Sequence, residues 1–140
     1  MSDDGSACVI WLPSAANRGA TGLQIIKWLP WCYRVFGFQR LGRGLALQEA
    51  MEKNHPKEPH FYLAFIAVSS EFQGAGLGSR ILKATLEKID SAGMPAYFEN
   101  SRERNTPFYE RAGFVARSNI SPDGAPPLLA MWRQPQLSPR

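Results

Sequence analysis

The strongest β-strand pattern in the chain is an almost continuously apolar run at residues 61–69. An apolar run without polar alternation predicts a central strand that is covered on both faces. Shorter apolar runs predict four further strands, at residues 7–12, 96–99, 114–120 and 128–133. The last two flank the turn sequence Ser121-Pro122-Asp123-Gly124, which predicts a hairpin.

Apolar residues at helical spacing predict a helix over residues 79–92. Leu82, Leu86 and Ile89 form its apolar stripe, while the lysines and glutamate between them face water. Gly93 follows the last turn, where a glycine in the left-handed conformation commonly ends a helix.

Three other segments are predicted to be helical. Residues 38–54 form one helix, and residues 23–36 form two helical pieces that are broken near a proline. A short helix begins after Asn105 or Thr106, either of which caps it, and Pro107 suits its first turn.

The order of elements from residue 61 is strand, helix, strand, helix, strand, strand. Strand–helix–strand units give parallel neighbours, so the predicted fold class is α/β (α+β), with a central mixed sheet flanked by helices. The 140 residues, 44% of them apolar, suit one domain over residues 1–133, followed by a mobile tail at 134–140.

Composition narrows the classes of partner. The formal net charge of +4 is spread along the chain, which suits a small polyanionic ligand better than nucleic acid. The apolar stretch at 23–38 contains Lys27, Pro30 and Arg34, so no membrane span is predicted, and the acidic start does not resemble a signal peptide. Two cysteines and two histidines at unsuitable spacings predict no metal site, and a cytoplasmic location is expected.

Three alternating glycines, Gly74, Gly76 and Gly78, lie between the apolar strand and the helix at 79–92. Glycines let the backbone approach a ligand, and the free N–H groups of a helix N-terminus bind phosphate. A turn without a ligand is the alternative. The Lys-Ser/Thr pair of a P-loop is missing, and the glycine spacing differs from the dinucleotide fingerprint. Because Glu99 lies near the position of a ribose-binding acid, a dinucleotide-binding oxidoreductase stays open.

The sequence Gln73-Gly74-Ala75-Gly76-Leu77-Gly78 resembles the pyrophosphate loop of the GCN5-related N-acetyltransferase (GNAT) superfamily. Downstream, two segments together resemble the superfamily's Asn…Phe-Tyr-x-x-x-Gly-Phe signature: Ala96-Tyr97-Phe98-Glu99-Asn100-Ser101, then Asn105-Thr106-Pro107-Phe108-Tyr109-Glu110-Arg111-Ala112-Gly113-Phe114. With Pro56-Lys57-Glu58-Pro59, these motifs look most like the puromycin N-acetyltransferase branch. The resemblance covers residues 56–133.

The resemblance implies transfer of an acetyl group from acetyl-coenzyme A to a small-molecule primary amine. It implies that the strands at 61–69 and 96–99 are parallel and splay apart around the pantetheine arm. The residues implied in cofactor binding are Ile66, Ala67, Val68, Gln73, Gly74, Ala75, Gly76, Leu77, Gly78, Ser79, Asn105 and Tyr109.

The resemblance also implies catalytic roles. Tyr109 is the general acid for the leaving thiolate, against the alternative of a core aromatic residue. Glu99 is the candidate general base, against the alternative of a solvated acid at a strand end. His60 is a weaker candidate, for which a surface position after Pro59 is favoured. A backbone N–H near Val68 is expected to stabilise the oxyanion.

The chain departs from the superfamily pattern before residue 61. The opening strand–helix–helix unit is expected to be absent or shortened, and an acyl-coenzyme A-binding module without catalysis remains an alternative. Trp28, Trp31, Tyr33 and Phe36 either floor the acceptor pocket, cover other surface or make a homodimer contact.

Overall fold

A computed structural model describes residues 5–14, 42–122 and 125–136. It contains one five-stranded sheet in the order β1-β2-β3-β5-β4. The strands are β1 (Ala7–Pro13), β2 (Phe61–Val68), β3 (Ala96–Asn100), β4 (Val115–Ile120) and β5 (Leu128–Arg133). The helices are α1, which is described over 42–54, α2 (Leu77–Ser91) and α3 (Thr106–Arg111).

All five predicted strands are confirmed, and the predicted helix at 79–92 begins two residues earlier, at Leu77. Gly93 follows this helix with φ +66°, as its predicted left-handed role requires. The helical pieces predicted at 23–36, the start of the predicted helix at 38–54 and two turn residues at 123–124 lie outside the described residues.

The sheet is mixed, as the element order predicted. Strand β2 runs parallel to β3, and α2 connects the two strands. Strand β1 pairs antiparallel with β2, and β5 pairs antiparallel with β3. Strands β4 and β5 form the predicted antiparallel hairpin, and β5 lies between β3 and β4. The α/β (α+β) class is therefore confirmed.

The two faces of the sheet bury separate cores. On one face, α2 and α3 pack through Leu82, Leu86 and Tyr109 against side chains that include Leu63 and Phe98. On the other face, α1 packs against a second cluster; its members are Tyr97, Ile120, Leu128, Ala130 and Trp132, with Leu47, Ala50, Met51 and Tyr62 at its edge. Successive residues of β3 alternate between these cores, as the pleat of a strand requires.

The prediction that β2 is covered on both faces is wrong, since Phe65 is 53% exposed. The register explains this: Leu63 pairs with Trp11 and Phe65 pairs with Ile10, which leaves Ala64 as an extra residue in a β-bulge. Because of the bulge, Leu63 and Ile66 both pack on the α2 side, although an odd spacing would place them on opposite faces of a regular strand.

The start of α3 differs from its prediction. Asn105 occupies the N-cap position, but its side chain makes no capping hydrogen bond and its backbone is already helical. The chain enters α3 through a single 3₁₀ turn, Glu103–Asn105, and Pro107 lies in the first turn as predicted. Neither Asn105 nor Thr106 therefore acts as a side-chain cap to the helix backbone.

A buried ion pair fastens β5 to the end of α2. The guanidinium of Arg133, whose side chain is 4% exposed, donates to both carboxylate oxygens of Asp90 at 2.5 and 2.8 Å. Arg133 Nε also donates to the Ala112 carbonyl, and the Gln136 N–H donates to Asp90. Hydrogen bonding from Arg133 lowers the pKa of Asp90, so the carboxylate is ionised at neutral pH.

We expect Arg133→Met to lower the free energy of unfolding by about 2 to 3 kcal/mol, because it leaves Asp90 and the Ala112 carbonyl without their donor. The loss falls below that of a fully buried pair, since the Asp90 side chain keeps 13% exposure. Urea denaturation measures it. The control is Arg117→Met, whose exposed pair with Glu58 contributes at most about 1 kcal/mol. Equal losses in the two variants would contradict the assignment.

Candidate active site

The centre of the sheet contains a gap where two parallel strands part. Only Phe61 and Tyr62 of β2 pair with β3, through Ala96 and Tyr97. The bulge at Ala64 follows directly and turns the rest of β2 away from β3. Among the described residues, the edge of β2 beyond Tyr62 that faces β3 has no strand partner, which suits strand-like bonding to an extended ligand. This is the splay that the family resemblance implied.

Ile66, Ala67 and Val68 lie on this separated part of β2. Their opposite edge pairs with β1, so the segment is held in register without β3. The Gln73 side chain donates from Nε2 to the Val68 carbonyl at 3.1 Å and closes the turn that follows the strand. The predicted arm-binding segment thus runs directly into the predicted phosphate loop.

The glycine loop presents a helix N-terminus. Gly74 and Gly76 have φ of +83° and +76°, a conformation that side chains with a Cβ rarely adopt. The first helical hydrogen bond runs from the Arg80 N–H to the Gly76 carbonyl, which leaves the N–H groups of Leu77, Gly78 and Ser79 without intrahelical partners. Unpartnered N–H groups and the positive end of the helix dipole suit an anionic group.

The three glycines of the loop are required for different structural reasons. A Cβ at Gly74 or Gly76 would meet no protein atom within 4 Å, so the backbone conformation is what selects glycine there. A Cβ at Gly78 would lie 3.4 Å from Val68 and 3.8 Å from Phe108, so close packing of α2 on its neighbours governs that position. A cavity of about 910 Å³ opens beside this helix, between α2 and α3.

Tyr109 lies on α3 among aromatic rings. Its ring centroid is 4.2 Å from that of Phe98 and 4.9 Å from that of Phe108, and the residue is 7% exposed. Its hydroxyl has no hydrogen-bond partner among the described residues, and burial raises its pKa, which keeps the proton on the oxygen at neutral pH. The ring packs in the core, while the hydroxyl has its proton and no partner. The structure is therefore compatible with both interpretations of Tyr109, the core aromatic residue and the general acid.

Asn100 positions this helix, a role that the sequence analysis did not assign to it. Its side chain is buried, donates from Nδ2 to the Thr106 hydroxyl at 3.0 Å and accepts from the Arg102 N–H at 3.1 Å. These bonds fix the turn from β3 into α3 and hence the placement of Tyr109. An asparagine directly after a predicted strand was the available signal.

Glu99 is a buried carboxylate. Its side chain is 2% exposed, which rules out the solvated strand-end acid considered from the sequence. The Tyr62 hydroxyl donates to Glu99 Oε2 at 2.8 Å. Burial raises the pKa of Glu99, and the hydrogen bond from Tyr62 only partly offsets this effect. A buried carboxyl with a raised pKa is typical of a catalytic acid or base.

Two histidines complete a polar cluster around Glu99. The predicted surface position of His60 is wrong: the residue is 0% exposed, and its Nδ1 lies 2.7 Å from the Glu58 carbonyl oxygen. His55 Nδ1 lies 3.9 Å from Glu99 Oε1, and the two histidine rings are 4.9 Å apart. Burial lowers the pKa of both histidines, so both are neutral at neutral pH. The sequence analysis missed His55, although its position six residues before the central strand was visible.

Within the part of the chain that the structure describes, four buried polar atoms of this cluster have no hydrogen-bond partner: His55 Nε2, His60 Nε2, Tyr97 Oη and Glu99 Oε1. Each such atom costs about 1 to 3 kcal/mol in a folded protein. Tyr97 Oη lies close enough to lower the pKa of Glu99 but lacks the geometry of a regular hydrogen bond. Several unsatisfied buried atoms in one place are unusual in a folded protein, and they could form hydrogen bonds with a bound ligand or water.

Tyr109 and Glu99 lie on opposite faces of the sheet. Phe98 and Glu99 are consecutive in β3, so their side chains point to opposite faces. Phe98 contacts Tyr109 on the α2–α3 face, and Glu99 accepts its bond from Tyr62 on the α1 face. The Tyr109 phenol and the Glu99 carboxyl are therefore separated by β3.

The sequence matches the Acetyltransferase (GNAT) family over residues 32–114, more than half of the chain. This chain therefore belongs to the GNAT acetyltransferase family. An uncharacterised N-acetyltransferase of Schizosaccharomyces pombe is 34% identical to it over 79 residues, which are 54% of this chain and 32% of the relative. Family membership leaves the dinucleotide-binding alternative without support.

Solved structures agree on the fold. A histone acetyltransferase HPA2 and related acetyltransferase from Corynebacterium glutamicum is 35% identical, with a TM-score of 0.53 over 62% of this chain and 48% of that one. An aminoglycoside 6'-N-acetyltransferase in complex with coenzyme A is 15% identical, with a TM-score of 0.50 over 58% of this chain and 62% of that one. The chain spans about a third of the yeast relative and about half of the bacterial structure.

The described residues contain neither a metal-ligand cluster nor a membrane-spanning helix. Residues 5–14, 42–122 and 125–136 contain no group of three or more histidine, cysteine, aspartate or glutamate side chains arranged to hold a metal ion. In the same ranges no helix has the length and apolar character needed to cross a membrane.

The burial of Glu99 predicts a pH-dependent cost to stability. A carboxyl whose pKa is raised by folding stabilises the protein fully only below its unfolded pKa, and that contribution is lost as the pH rises through the folded pKa. We expect Glu99→Gln to raise the free energy of unfolding by about 0.5 to 2 kcal/mol at about pH 8 and to leave it unchanged at about pH 4.

Urea denaturation at the two pH values measures this difference. The matched control is Glu87→Gln on the exposed face of α2, which is expected to change stability little at either pH. A Glu99→Gln variant that is less stable than the parent at about pH 8 would contradict the prediction. It would show that the surrounding groups stabilise the ionised carboxylate more than burial destabilises it.

Proposed function

We propose that this protein is an acetyl-coenzyme A-dependent N-acetyltransferase whose acceptor is a small-molecule primary amine. The observation that supports the proposal is that β2 and β3 pair at only two positions, with Tyr109 packed on one face of β3 and Glu99 on the other. Acyl transfer to an amine requires a proton acceptor on the side of the amine and a proton donor on the side of the leaving thiolate.

Acetyl-coenzyme A would lie along the separated edge of β2. Backbone groups at Ile66, Ala67 and Val68 would bond the pantetheine arm, and Asn105 at the start of α3 would contact it from the other side. The pyrophosphate would accept hydrogen bonds from N–H groups of the loop; the loop residues are Gln73, Gly74, Ala75, Gly76, Leu77, Gly78 and Ser79. The donor supplies the acyl group as a thioester, and no metal enters the proposal.

In this proposal the amine approaches from the α1 face, where Glu99 accepts its proton directly or through a water. The amine lone pair attacks the thioester carbonyl carbon, the carbon–sulfur bond breaks, and Tyr109 donates its proton to the departing sulfur. The raised pKa of Tyr109 keeps that proton in place beforehand. A backbone N–H near Val68 would stabilise the oxyanion between these steps.

Several finer points belong to the same proposal. The puromycin N-acetyltransferase branch, the cytoplasmic location, the lack of nucleic-acid and membrane partners and the homodimer contact remain predictions from the sequence. The aromatic residues on which the dimer prediction rests, Trp28, Trp31, Tyr33 and Phe36, lie outside the described residues. The alternative is a module that binds acyl-coenzyme A without catalysis. A protein that binds coenzyme A but releases no thiol from acetyl-coenzyme A would favour that alternative.

The loop assignment predicts that Gly76→Val weakens coenzyme A binding about tenfold or more, since valine at a positive φ costs about 1 to 2 kcal/mol and the loop must deform. Isothermal titration with coenzyme A measures this effect. Gly93→Val is the matched control, because Gly93 has φ +66° at the other end of α2 with equally open space around it. It should lose similar stability but keep its affinity, and equal affinity in both variants would reject the loop as the phosphate site.

The acid assignment predicts that Tyr109→Phe lowers turnover about 10²-fold or more and changes coenzyme A affinity less than threefold. The ring and its contacts with Phe98 and Phe108 are retained, so only the hydroxyl is lost. Thiol release with a panel of primary amines gives turnover, and thermal protection by acetyl-coenzyme A reports binding. Unchanged turnover would remove Tyr109 from the mechanism.

A further inference from the structure

We propose that Tyr62 is a positioning residue: its hydroxyl holds Glu99 Oε2 and leaves Oε1 as the oxygen that takes the proton of the amine. The observation that carries this inference is the hydrogen bond from the Tyr62 hydroxyl to Glu99 Oε2, at 2.8 Å. The purpose of the bond rests on the proposed function, whereas its effect on the carboxyl is a property of the free protein.

Tyr62 lies where β2 and β3 part. It is the last residue of β2 that pairs with β3, opposite Tyr97, and Glu99 follows Tyr97 by two residues along β3. Tyr97 and Glu99 therefore point to the same face of β3. The Tyr62 phenol reaches across the start of the gap to a residue of β3 that no longer pairs with β2. The bond thus joins the two strands on the α1 face, directly beyond their last pair.

The hydrogen bond makes the two oxygens of Glu99 unequal. Among the described residues it is the one regular hydrogen bond that the carboxylate accepts, because Oε1 is buried without a partner. A carboxylate that is held at one oxygen presents the other in a fixed direction, which is what a reacting group requires. In the proposed reaction the N–H bond of the amine breaks and an O–H bond forms at Oε1, directly or through a water.

The bond favours the ionised form of Glu99. Burial raises the pKa of Tyr62, and the charge of Glu99 adds to this effect, so the phenol keeps its proton at neutral pH. An ionised carboxylate only accepts hydrogen bonds, so the Tyr62 hydroxyl is the donor. Burial is the largest influence on the pKa of Glu99 and raises it, and the hydrogen bond from Tyr62 is the first of the influences that lower it.

Tyr97 is the other phenol beside Glu99, and its geometry gives it a smaller role. Its ring centroid is 6.2 Å from that of Tyr62, and its hydroxyl is buried without a regular hydrogen bond. The two tyrosines therefore provide a matched pair of variants. Each substitution by phenylalanine removes one hydroxyl from the same cluster and keeps the ring, but only the one at Tyr62 removes a regular bond to the carboxylate.

The cluster also contains ionisable side chains from the segment between α1 and β2 and from β4. They are His55, His60, Glu58 and Arg117. Burial lowers the pKa of both histidines, so both are neutral at neutral pH, and Glu58 pairs with Arg117 at 3.4 Å. Because Tyr62→Phe removes a neutral hydroxyl and no charge, a change in the titration of Glu99 would report the lost hydrogen bond.

The test on the free protein is a titration of the Glu99 carboxyl. Carbon-13 NMR follows its side-chain carboxyl carbon in the parent and in Tyr62→Phe, and Glu99→Gln identifies the signal. Loss of a hydrogen bond to a charged group should raise the midpoint by about one pH unit or more. Tyr97→Phe should raise it by a smaller amount. An unchanged midpoint in Tyr62→Phe, or a rise in Tyr97→Phe that is as large, would overturn the proposal.

A kinetic test separates positioning from support of the fold. Tyr62→Phe should lower turnover about tenfold in the parent but less than about twofold in the Glu99→Gln background, because a positioning residue acts only through the carboxylate. The low-pH limb of the parent's pH profile should move to higher pH in Tyr62→Phe. The same loss of turnover in both backgrounds, with an unmoved limb, would show a purely structural role and overturn the proposal.

A second substitution keeps the test open if Tyr62→Phe fails to fold. With 3-fluorotyrosine in place of Tyr62, the hydroxyl is a more acidic and stronger donor, so the Glu99 midpoint should fall. An unchanged or raised midpoint would overturn the proposal.

The two measurements also separate this inference from the proposed function. A Glu99 midpoint that depends on the Tyr62 hydroxyl, in a protein that releases no thiol from acetyl-coenzyme A with any amine, would keep the hold of Tyr62 on Glu99 and reject the proposed function. Acetyl transfer by the parent, with the same midpoint in the parent and in Tyr62→Phe, would keep the function and reject the positioning role.

Discussion

The short pairing between β2 and β3 is the constraint on which the rest of the site depends. Two parallel strands that pair at two positions and then part leave backbone groups unsatisfied in the middle of a sheet. The bulge at Ala64 fixes where the strands part, and the pairing of β2 with β1 holds the far part of β2 in place. A sheet that opens in this way is stable only because both strands are supported from their other sides.

The two cores give the opening two chemically different sides. The α2–α3 side packs apolar side chains around Tyr109, whereas the α1 side places Glu99, His55 and His60 among aromatic rings. The alternation of side chains along β3 sends neighbouring residues to these separate environments. The Tyr109 hydroxyl and the Glu99 carboxyl are thereby kept on opposite faces of the sheet.

Much of the fold could be predicted from the sequence. The wrong predictions concern features that depend on contacts between residues distant along the chain. Strand positions, the helix at α2 and the glycine loop follow from local patterns that tertiary contacts did not override. The bulge was invisible, because Ala64 continues an apolar run and only the register with β1 shows that it is extra. His60 follows a proline in a polar stretch, so local sequence favoured the surface, while its burial comes from Tyr97 and Trp132, which are distant along the chain.

The unsatisfied atoms of the α1 face are better explained by function than by structure. A cluster selected for stability would replace Glu99 or His60 by apolar residues of similar volume, because buried polar groups without partners destabilise the folded state. The Asp90–Arg133 pair shows what a structural polar contact looks like in this molecule, since both carboxylate oxygens and the guanidinium are bonded. The contrast between these two carboxylates, one with both oxygens bonded and one with a single bonded oxygen, supports the proposal that Glu99 takes part in proton transfer.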